Sequence, residues 1–226
     1  MKRGKKYNQV APLVNKDMTY SVAEAIELAI KTNTVKFDAT VEIHFNLNID
    51  PKQADQGVRS SITLPNGTGK VTRIAAFSDA GDEKALLAIG AVIAGGEDLM
   101  EEVLKGKTDF DIAVATTAMM RKMGKVAKVL GPKGLMPSPK AGTVSDDLQA
   151  TIKEIVAGRF EFKNDKQGNV HSIVGKVSFG KEKLVQNLEY FISALKEARP
   201  AGAKGNFIDS VYICNTMGPG IKLDVK

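Results

Sequence analysis

The chain has 226 residues, a formal net charge of +6, two histidines and one cysteine, Cys214. A single cysteine excludes a disulfide within the chain and a cysteine-rich zinc site, and the positive charge favours a nucleic-acid partner. No apolar run reaches the length of a membrane span and none follows the basic start MKRGKKYNQV, so we expect a cytoplasmic protein without membrane contact or signal peptide.

The first third of the chain predicts helix and strand in turn. Ser21 and Glu24 match a capping box at the start of an amphipathic helix. Strict alternation of apolar and polar residues then predicts a strand with one buried and one solvated face. Asp50 followed by Pro51 is typical of a helix start. The predicted elements are a helix over 21–31, a strand over 37–49, a short helix from 50 and a strand over 62–64.

From residue 70 onward, strands and helices alternate. The predicted strands cover 71–77, 92–94 and 110–115. The predicted helices cover 82–91, 97–105, 116–130 and 146–157. Alternation of this kind indicates a parallel sheet covered by helices and built by right-handed crossovers.

Beyond Gly158 the pattern becomes antiparallel again. Strands over 160–163 and 170–179 flank a turn at 164–169, which predicts a hairpin. A helix over 181–196 and strands over 211–214 and 221–225 complete the chain.

The fold class that follows is mixed α/β and α+β, in two domains. Residues 1–66 and 159–226 form a split α+β domain with an antiparallel sheet, and residues 67–158 form an inserted three-layer α/β domain with a mainly parallel, Rossmann-like sheet. Gly67, Gly69 and Gly158 lie at the two crossings and predict a hinge; a rigid junction that uses these glycines only for turns is the alternative.

Residues 121–144 contain six cationic side chains and no acid, among prolines and glycines that stiffen and turn the chain. This predicts a shaped cationic surface for nucleic acid. Acidic residues cluster in 79–111, which predicts one basic and one acidic face. The basic candidates for contact are Arg121, Lys122, Lys125, Lys133 and Lys140.

The sequence lacks recognisable motifs for nucleotide binding or catalysis. Residues 66–70, NGTGK, lack both the earlier glycine and the following Ser or Thr of a phosphate loop. His44 and His171 lie on predicted strands without a His or Cys close in sequence, so we interpret them as surface or edge residues. We therefore expect no catalytic residue, metal or cofactor. The alternative function is a small α/β enzyme or a binding module for a phosphate-bearing ligand, suggested only by the alternating middle segment.

Several motifs together resemble the large-subunit ribosomal protein one family of bacterial type, the L-one stalk protein family. They are LGPKGLMP at 130–137, PKAGTV at 139–144, DSVY at 209–212, TMGP at 216–219 and AGAKG at 201–205. The resemblance extends over essentially the whole chain. Lys133 and Ser138 stand where Arg and Asn are commoner in the family, and Cys214 is unusual there.

The resemblance implies a non-enzymatic protein that binds large-subunit ribosomal RNA at the mobile stalk near the tRNA exit site. It also implies help in releasing deacylated tRNA, repression of the protein's own operon through its mRNA, and a monomer off the ribosome. The basic loop becomes an accessory RNA contact or a surface facing the other domain. The RNA-binding positions that match the family are Lys36, Phe37, Thr40, Glu42, Ser210, Thr216, Met217 and Gly218.

Strand parity adds expectations for part of that set. Lys36, Thr40 and Glu42 share the solvated face of the predicted strand, where Thr40 and Glu42 could accept hydrogen bonds from ribose 2′-OH groups. Lys36 would contact phosphate, with an affinity that falls as salt rises. Phe37 belongs by parity to the apolar face, so it either contacts RNA from the end of the strand or belongs to the core.

Overall fold

The computed structural model describes residues 3–53, 55–203 and 205–225. Contacts divide the chain into two compact units, Met1–Gly69 with Glu161–Lys226 and Lys70–Phe160. Each unit has its own sheet. Independent folding of two domains with the boundaries given above remains a prediction.

The helices, in chain order, are α1 (Lys5–Val10), α2 (Val22–Lys31), α3 (Glu83–Ile89), α4 (Glu97–Leu104), α5 (Thr117–Lys122), α6 (Ala127–Leu130), α7 (Leu148–Val156) and α8 (Gly180–Glu197). The strands are β1 (Thr40–Leu47), β2 (Arg59–Thr63), β3 (Ile74–Phe77), β4 (Ala91–Gly95), β5 (Ile112–Ala115), β6 (Arg159–Lys163), β7 (Asn169–Lys176), β8 (Ile208–Asn215) and β9 (Ile221–Leu223). Short 3-10 turns cover Ala11–Leu13, Met123–Lys125, Pro139–Ala141 and Val177–Phe179. None of the helices in the described part of the chain has the length and apolarity that a bilayer crossing requires.

The main sheet of the first unit has the strand order β7-β1-β8-β9, with antiparallel neighbours throughout. Helices α2 and α8 pack against each other and against this sheet. Phe45 of β1 stacks on Phe191 of α8 with ring centroids 5.6 Å apart, and both side chains are buried. The predicted capping box is present at the start of α2, with the Ser21 hydroxyl and the Glu24 carboxylate satisfying each other's backbone amides.

The second unit contains a parallel sheet in the order β4-β3-β5. Alternate residues of β3 point to opposite faces: Ala75 and Phe77 pack with residues of α4, α5 and α6, whereas Ile74 and Ala76 pack with residues of α3 and α7. The prediction of a mixed α/β fold with one antiparallel and one parallel sheet is confirmed.

Several predicted element bounds are wrong. The strand predicted over 37–49 begins only at Thr40, and residues 51 and 52 form a turn instead of a helix. The strand predicted over 71–77 begins at Ile74, and Val71 is exposed. The helix predicted over 116–130 is interrupted by a 3-10 turn that contains Gly124, a residue that weakens helix interiors.

The two glycines predicted as the first hinge are held within the first unit. The carbonyl oxygen of Gly67 accepts a hydrogen bond from Asn187 Nδ2 at 3.0 Å. Gly69 has a φ of 71°, and a Cβ there would lie 3.0 Å from Phe179 Cζ. The hinge at Gly67, Gly69 and Gly158 remains a prediction.

Candidate nucleic-acid interface

One face of the main sheet, called the open face below, carries polar side chains that are exposed or half-buried. Because side chains alternate along a strand, the apolar residues of β1 face α2 and α8 and its polar residues face the other way. Register places polar residues of β7 and β8 beside them. The exposed or half-buried polar residues of this open face include Thr40, Glu42, His44, Asn46, His171, Lys176, Ser210, Tyr212 and Cys214.

Two of the predicted residues meet at one end of this face. Thr40 and Thr216 are 176 residues apart in the chain, yet the Thr216 amide donates to the Thr40 carbonyl at 2.9 Å. The Thr40 amide in turn donates to Thr216 Oγ1 at 3.1 Å. Lys176 of β7 donates from Nζ to Thr40 Oγ1 at 2.8 Å, which adds a cation that the sequence analysis did not select.

Met217 and Gly218 form the turn that follows β8. Met217 has a φ of 71°, a left-handed conformation that is uncommon for a residue with a Cβ, and its side chain is 72% exposed. Gly218 donates from its amide to the Asn215 carbonyl at 2.9 Å. A Cβ on Gly218 would lie 1.7 Å from Asn215 Oδ1, so no larger residue fits without displacing that side chain. A strained, exposed apolar residue in a tightly fitted turn is typical of a contact site.

Lys36 and Phe37 precede β1 in a bend, and both are exposed. Strand parity decides neither position, because the alternation it assumes starts only at Thr40, although Lys36 is solvated as expected. Phe37 is 58% exposed, which excludes the core role and leaves it available to a partner.

A groove lies beside Met217 and was not foreseen. It has a volume of about 370 Å³ and contains basic and aromatic side chains from α1 and the residues just before it. The Arg3 guanidinium lies 4.8 Å from the centre of the Tyr7 ring. The signal available in the sequence was the basic run with one tyrosine at residues 2–7, KRGKKY. Its lining residues are Arg3, Gly4, Lys6, Tyr7, Thr34, Val35, Met217 and Gly218.

Ser210 does not join the cluster at Thr40. It lies opposite Asn46, near the other end of β1. Six residues of strand separate it from Thr216, a distance of about 20 Å at ~3.4 Å per residue. The predicted RNA-binding set therefore spans the length of the open face instead of forming one pocket.

Between these ends, strand pairing brings together four side chains from three strands. His44 Nε2 lies 3.3 Å from Cys214 Sγ and 3.9 Å from Glu42 Oε2. On the other side, His44 Nδ1 lies 2.9 Å from His171 Nδ1. Burial is the main cause that lowers the pKa of His44, and the neighbouring His171 lowers it further. Burial is also the main cause that raises the pKa of the Cys214 thiol to about 11, and the charge of Glu42 adds to it. Both shifts favour the uncharged forms of the His44 ring and the Cys214 thiol.

The predicted basic loop of the second unit is less purely cationic than expected. Arg121, Lys122, Lys125 and Lys133 are exposed, and the side chain of Lys140 lies outside the described residues. Lys122 pairs with Glu97 at 2.9 Å, which raises the pKa of the lysine and lowers that of the carboxyl. Lys133 donates to Thr108 Oγ1 at 2.5 Å. A surface groove of the unit is lined by Arg121, Lys122 and Lys125 together with Glu97 and Glu101. The prediction of separate acidic and basic faces is wrong at this place.

A family model described as the ribosomal protein L1p/L10e family matches residues 27–219, which is most of the chain. The matched range includes Lys36, Phe37, Thr40, Glu42, Ser210, Thr216, Met217 and Gly218.

Proposed function

The chain belongs to the ribosomal protein L1p/L10e family, and we propose that it binds the ribosomal RNA of the mobile stalk near the tRNA exit site. Membership makes it a large-subunit ribosomal protein that binds ribosomal RNA, in a family of structural proteins and not of enzymes. The proposal extends this role to assisting release of deacylated tRNA from the exit site. It also includes a cytoplasmic location, and a monomeric state away from the ribosome.

The proposed RNA interface is the open face of the main sheet, with its centre at the Thr40–Thr216 contact. The observation that carries the proposal is the exposure of Met217 in a strained turn directly beside that contact. Exposed apolar side chains next to hydrogen-bonding groups suit a base or ribose better than a phosphate alone. The eight proposed contact residues are Lys36, Phe37, Thr40, Glu42, Ser210, Thr216, Met217 and Gly218.

Each part of this interface has a chemical role. Thr40 Oγ1 and the Glu42 carboxylate offer acceptors for ribose 2′-OH groups, which favours RNA over DNA. Lys36 and Lys176 supply phosphate contacts, so binding weakens as salt rises. Phe37 and Met217 offer apolar surface for stacking. The separation of about 20 Å between Ser210 and Thr216 requires an RNA segment several nucleotides long.

The basic loop of the second unit has an accessory role in this proposal. Arg121, Lys125 and Lys133 would contact phosphates without reading sequence. Lys122 would contribute less, because Glu97 already neutralises it.

Repression of the protein's own operon follows if a segment of its mRNA imitates the ribosomal site and occupies the same face. The two RNAs would then compete for one site. A competition assay tests this: the operon mRNA should displace a labelled stalk fragment of ribosomal RNA completely, whereas simultaneous binding of both RNAs would contradict a shared interface.

Filter binding to a stalk fragment of large-subunit ribosomal RNA tests the main proposal. Met217→Ala should weaken binding by roughly 1–3 kcal/mol, as expected for a side chain in close contact. Met18→Ala is the matched control, because Met18 is an exposed methionine of the same unit outside the proposed face. Equal affinity for random duplex DNA at moderate salt, or equal losses in both variants, would refute the proposed interface.

A further inference from the structure

We propose that Glu42, His44 and Cys214 form a binding site for a zinc-type divalent metal ion on the open face of the main sheet. Glu42 and His44 are two residues apart on β1 and therefore point to the same face. Cys214 lies on the neighbouring strand β8, directly opposite Glu42. The proposal does not depend on RNA binding.

The spacing of the ligand atoms matches the coordination that zinc prefers. One ligand atom from each of the three residues lies within 4.8 Å of the others. A tetrahedral zinc ion with bonds of about 2.3 Å to sulfur and ~2.0 Å to nitrogen or oxygen separates its ligand atoms by roughly 3.3–3.6 Å. His44 Nε2 and Cys214 Sγ are already 3.3 Å apart. Glu42 Oε2 is 3.9 Å from the same nitrogen, and the Glu42 carboxylate lies within 4.8 Å of the sulfur, so a side-chain rotation that moves it by about 1 Å completes the site.

The second histidine occupies the position of an orienting group. Ligating histidines in metal sites usually donate their other ring N–H to a neighbour, which fixes the tautomer. His44 Nδ1 lies 2.9 Å from His171 Nδ1, and His171 Nε2 lies 3.6 Å from Asp165 Oδ2. If His44 donates from Nδ1 to His171, the lone pair of His44 Nε2 faces Cys214, and His171 carries its proton on the side of Asp165. This arrangement of protons satisfies both contacts, from His44 to His171 and from His171 to Asp165, and leaves His44 Nε2 free for a metal.

The chemistry of this donor set favours zinc over magnesium or calcium. A thiolate and an imidazole are ligands for zinc and similar transition metals, whereas the hard ions require oxygen ligands. On binding, the Cys214 S–H bond breaks, sulfur keeps the electron pair and binds the metal, and the proton leaves to solvent. Three protein ligands leave a fourth position for water or an external ligand.

The site is accessible from solvent. The side chains of His44 and Glu42 are 33% and 42% exposed, so an ion can reach them without unfolding of the sheet. Glu42 belongs both to this site and to the proposed RNA interface. A bound metal would therefore remove one of the acceptors proposed for ribose, but the metal can be tested with RNA absent.

Cobalt(II) is the spectroscopic probe for the site, with zinc as competitor. The full chain titrated with Co²⁺ should develop a thiolate-to-cobalt charge-transfer band and the strong visible bands of tetrahedral cobalt, and Zn²⁺ should abolish both. Because Cys214 is the only cysteine in the chain, such a band assigns its sulfur as a ligand. Absence of the band at micromolar to submillimolar cobalt would overturn the proposal.

Variants separate this site from adventitious binding. Cys214→Ser should abolish the charge-transfer band, and His44→Gln should weaken zinc binding at least ~10-fold in a chelator-competition assay. His171→Gln should weaken zinc binding about 10-fold but keep the band at saturation, as expected for an orienting residue.

Glu197→Gln, at the exposed end of α8, is the control and should change neither the band nor the zinc affinity. Far-UV circular dichroism checks folding, and if Cys214→Ser fails to fold, His44→Gln carries the test. Zinc affinity of a folded His44→Gln within twofold of wild type would overturn the assignment.

Discussion

Thr216 and Thr40 bind each other through three hydrogen bonds. The Thr216 amide and hydroxyl both donate to the Thr40 carbonyl, at 2.9 and 3.3 Å, and the Thr40 amide donates to the Thr216 hydroxyl oxygen at 3.1 Å. The contact fixes the start of β1 to the turn that follows β8. If both residues belong to the RNA interface as proposed, the same hydroxyl would have a structural and a binding role.

Replacing that hydroxyl should therefore affect both stability and binding. Thr216→Val removes two of the three hydrogen bonds and should lower the free energy of unfolding by about 1 kcal/mol. RNA affinity should fall by a similar or larger amount. Urea unfolding and filter binding measure the two effects, with Thr216→Ser as the control because it keeps the hydroxyl. Wild-type behaviour of Thr216→Val in both assays would contradict the assigned role.

Gly218 should tolerate no side chain, because a Cβ would lie 1.7 Å from Asn215 Oδ1. Asn215 is buried and donates from Nδ2 to the Ala29 carbonyl at 2.5 Å, so its displacement breaks a bond between β8 and α2. Gly218→Ala should therefore cost roughly 1–3 kcal/mol in urea unfolding.

The matched control lies two residues further along. A Cβ on Gly220 would meet its nearest neighbour, Tyr212 Cδ1, at 4.0 Å, so Gly220→Ala should be nearly neutral. Asn215→Ala should be destabilising by itself but should remove most of the extra cost of Gly218→Ala. Additive costs in the double variant would show that the clash with Asn215 is not the cause.

Met217 offers a variant in which stability and binding change in opposite directions. Its φ of 71° costs about 1–2 kcal/mol for a residue with a Cβ, whereas glycine adopts this conformation freely. Met217→Gly should therefore raise the free energy of unfolding by up to about 1 kcal/mol, after the entropy cost of glycine, and still lose RNA affinity. Met217→Ala removes the same contact surface but keeps the strain, so its stability should stay near wild type. A destabilised Met217→Gly variant would argue against strain at this turn.

Local patterns predicted those parts of the fold whose cause is local. The capping box of Ser21 and Glu24 and the alternation within β1 depend on residues close in sequence, and both predictions are confirmed. The predicted start of β1 was wrong because a residue distant in sequence determines where the strand begins. Asp38 accepts hydrogen bonds from the amide and hydroxyl of Ser178, at 3.0 and 2.7 Å, and the chain before it turns away in a bend.

The candidate sites depend even more on non-local pairing. His44, His171 and Cys214 come from three strands, and sequence separations of 127 and 170 residues hide their contact. Only the register of β1 with β7 and β8 brings them together, and a shift of one residue would turn the histidine to the opposite face. The motif around Met217 was found through family resemblance, whereas its strained backbone conformation could not be predicted from residue types.

Glu27 should stabilise the contact between α2 and α8 in a pH-dependent way. Lys31, at 2.7 Å, and Lys181 of α8, at 2.9 Å, lower the pKa of Glu27 from its ordinary 4.5 to about 2. A carboxyl with a depressed folded-state pKa contributes stability above pH 4.5, and this contribution disappears as the pH falls toward 2.

Lys181→Gln should raise the pKa of Glu27 toward its ordinary value, because only Lys31 remains beside it. NMR titration of the Glu27 carboxyl measures the shift directly. The stability difference from wild type should be largest near neutral pH and vanish near pH 2. Lys183→Gln, another exposed lysine of α8, is the control. An unchanged Glu27 titration in Lys181→Gln would contradict the bridge between the helices.

Asn187 should be among the most sensitive positions of α8, because it is a buried amide whose groups are all satisfied. Its Nδ2 donates to the carbonyls of Val174 and Gly67 at 2.8 and 3.0 Å, and its Oδ1 accepts from the Asn66 amide at 3.1 Å. Asn187→Ala leaves these three backbone groups without their partner, which should cost about 2–4 kcal/mol.

Hydrogen exchange tests this role at one atom. In the wild type the Asn66 amide should be protected, and in Asn187→Ala it should exchange at the rate of an open loop. Gln186→Ala, at the neighbouring exposed position, removes only the contact of Gln186 Oε1 with Asn66 Nδ2 at 3.1 Å and should leave the protection intact. Protection that survives in Asn187→Ala would mean that other contacts hold residues 64–67. Because Gly67 is one of the proposed hinge residues, loss of protection would also show that Asn187 is what keeps this end of the crossing fixed.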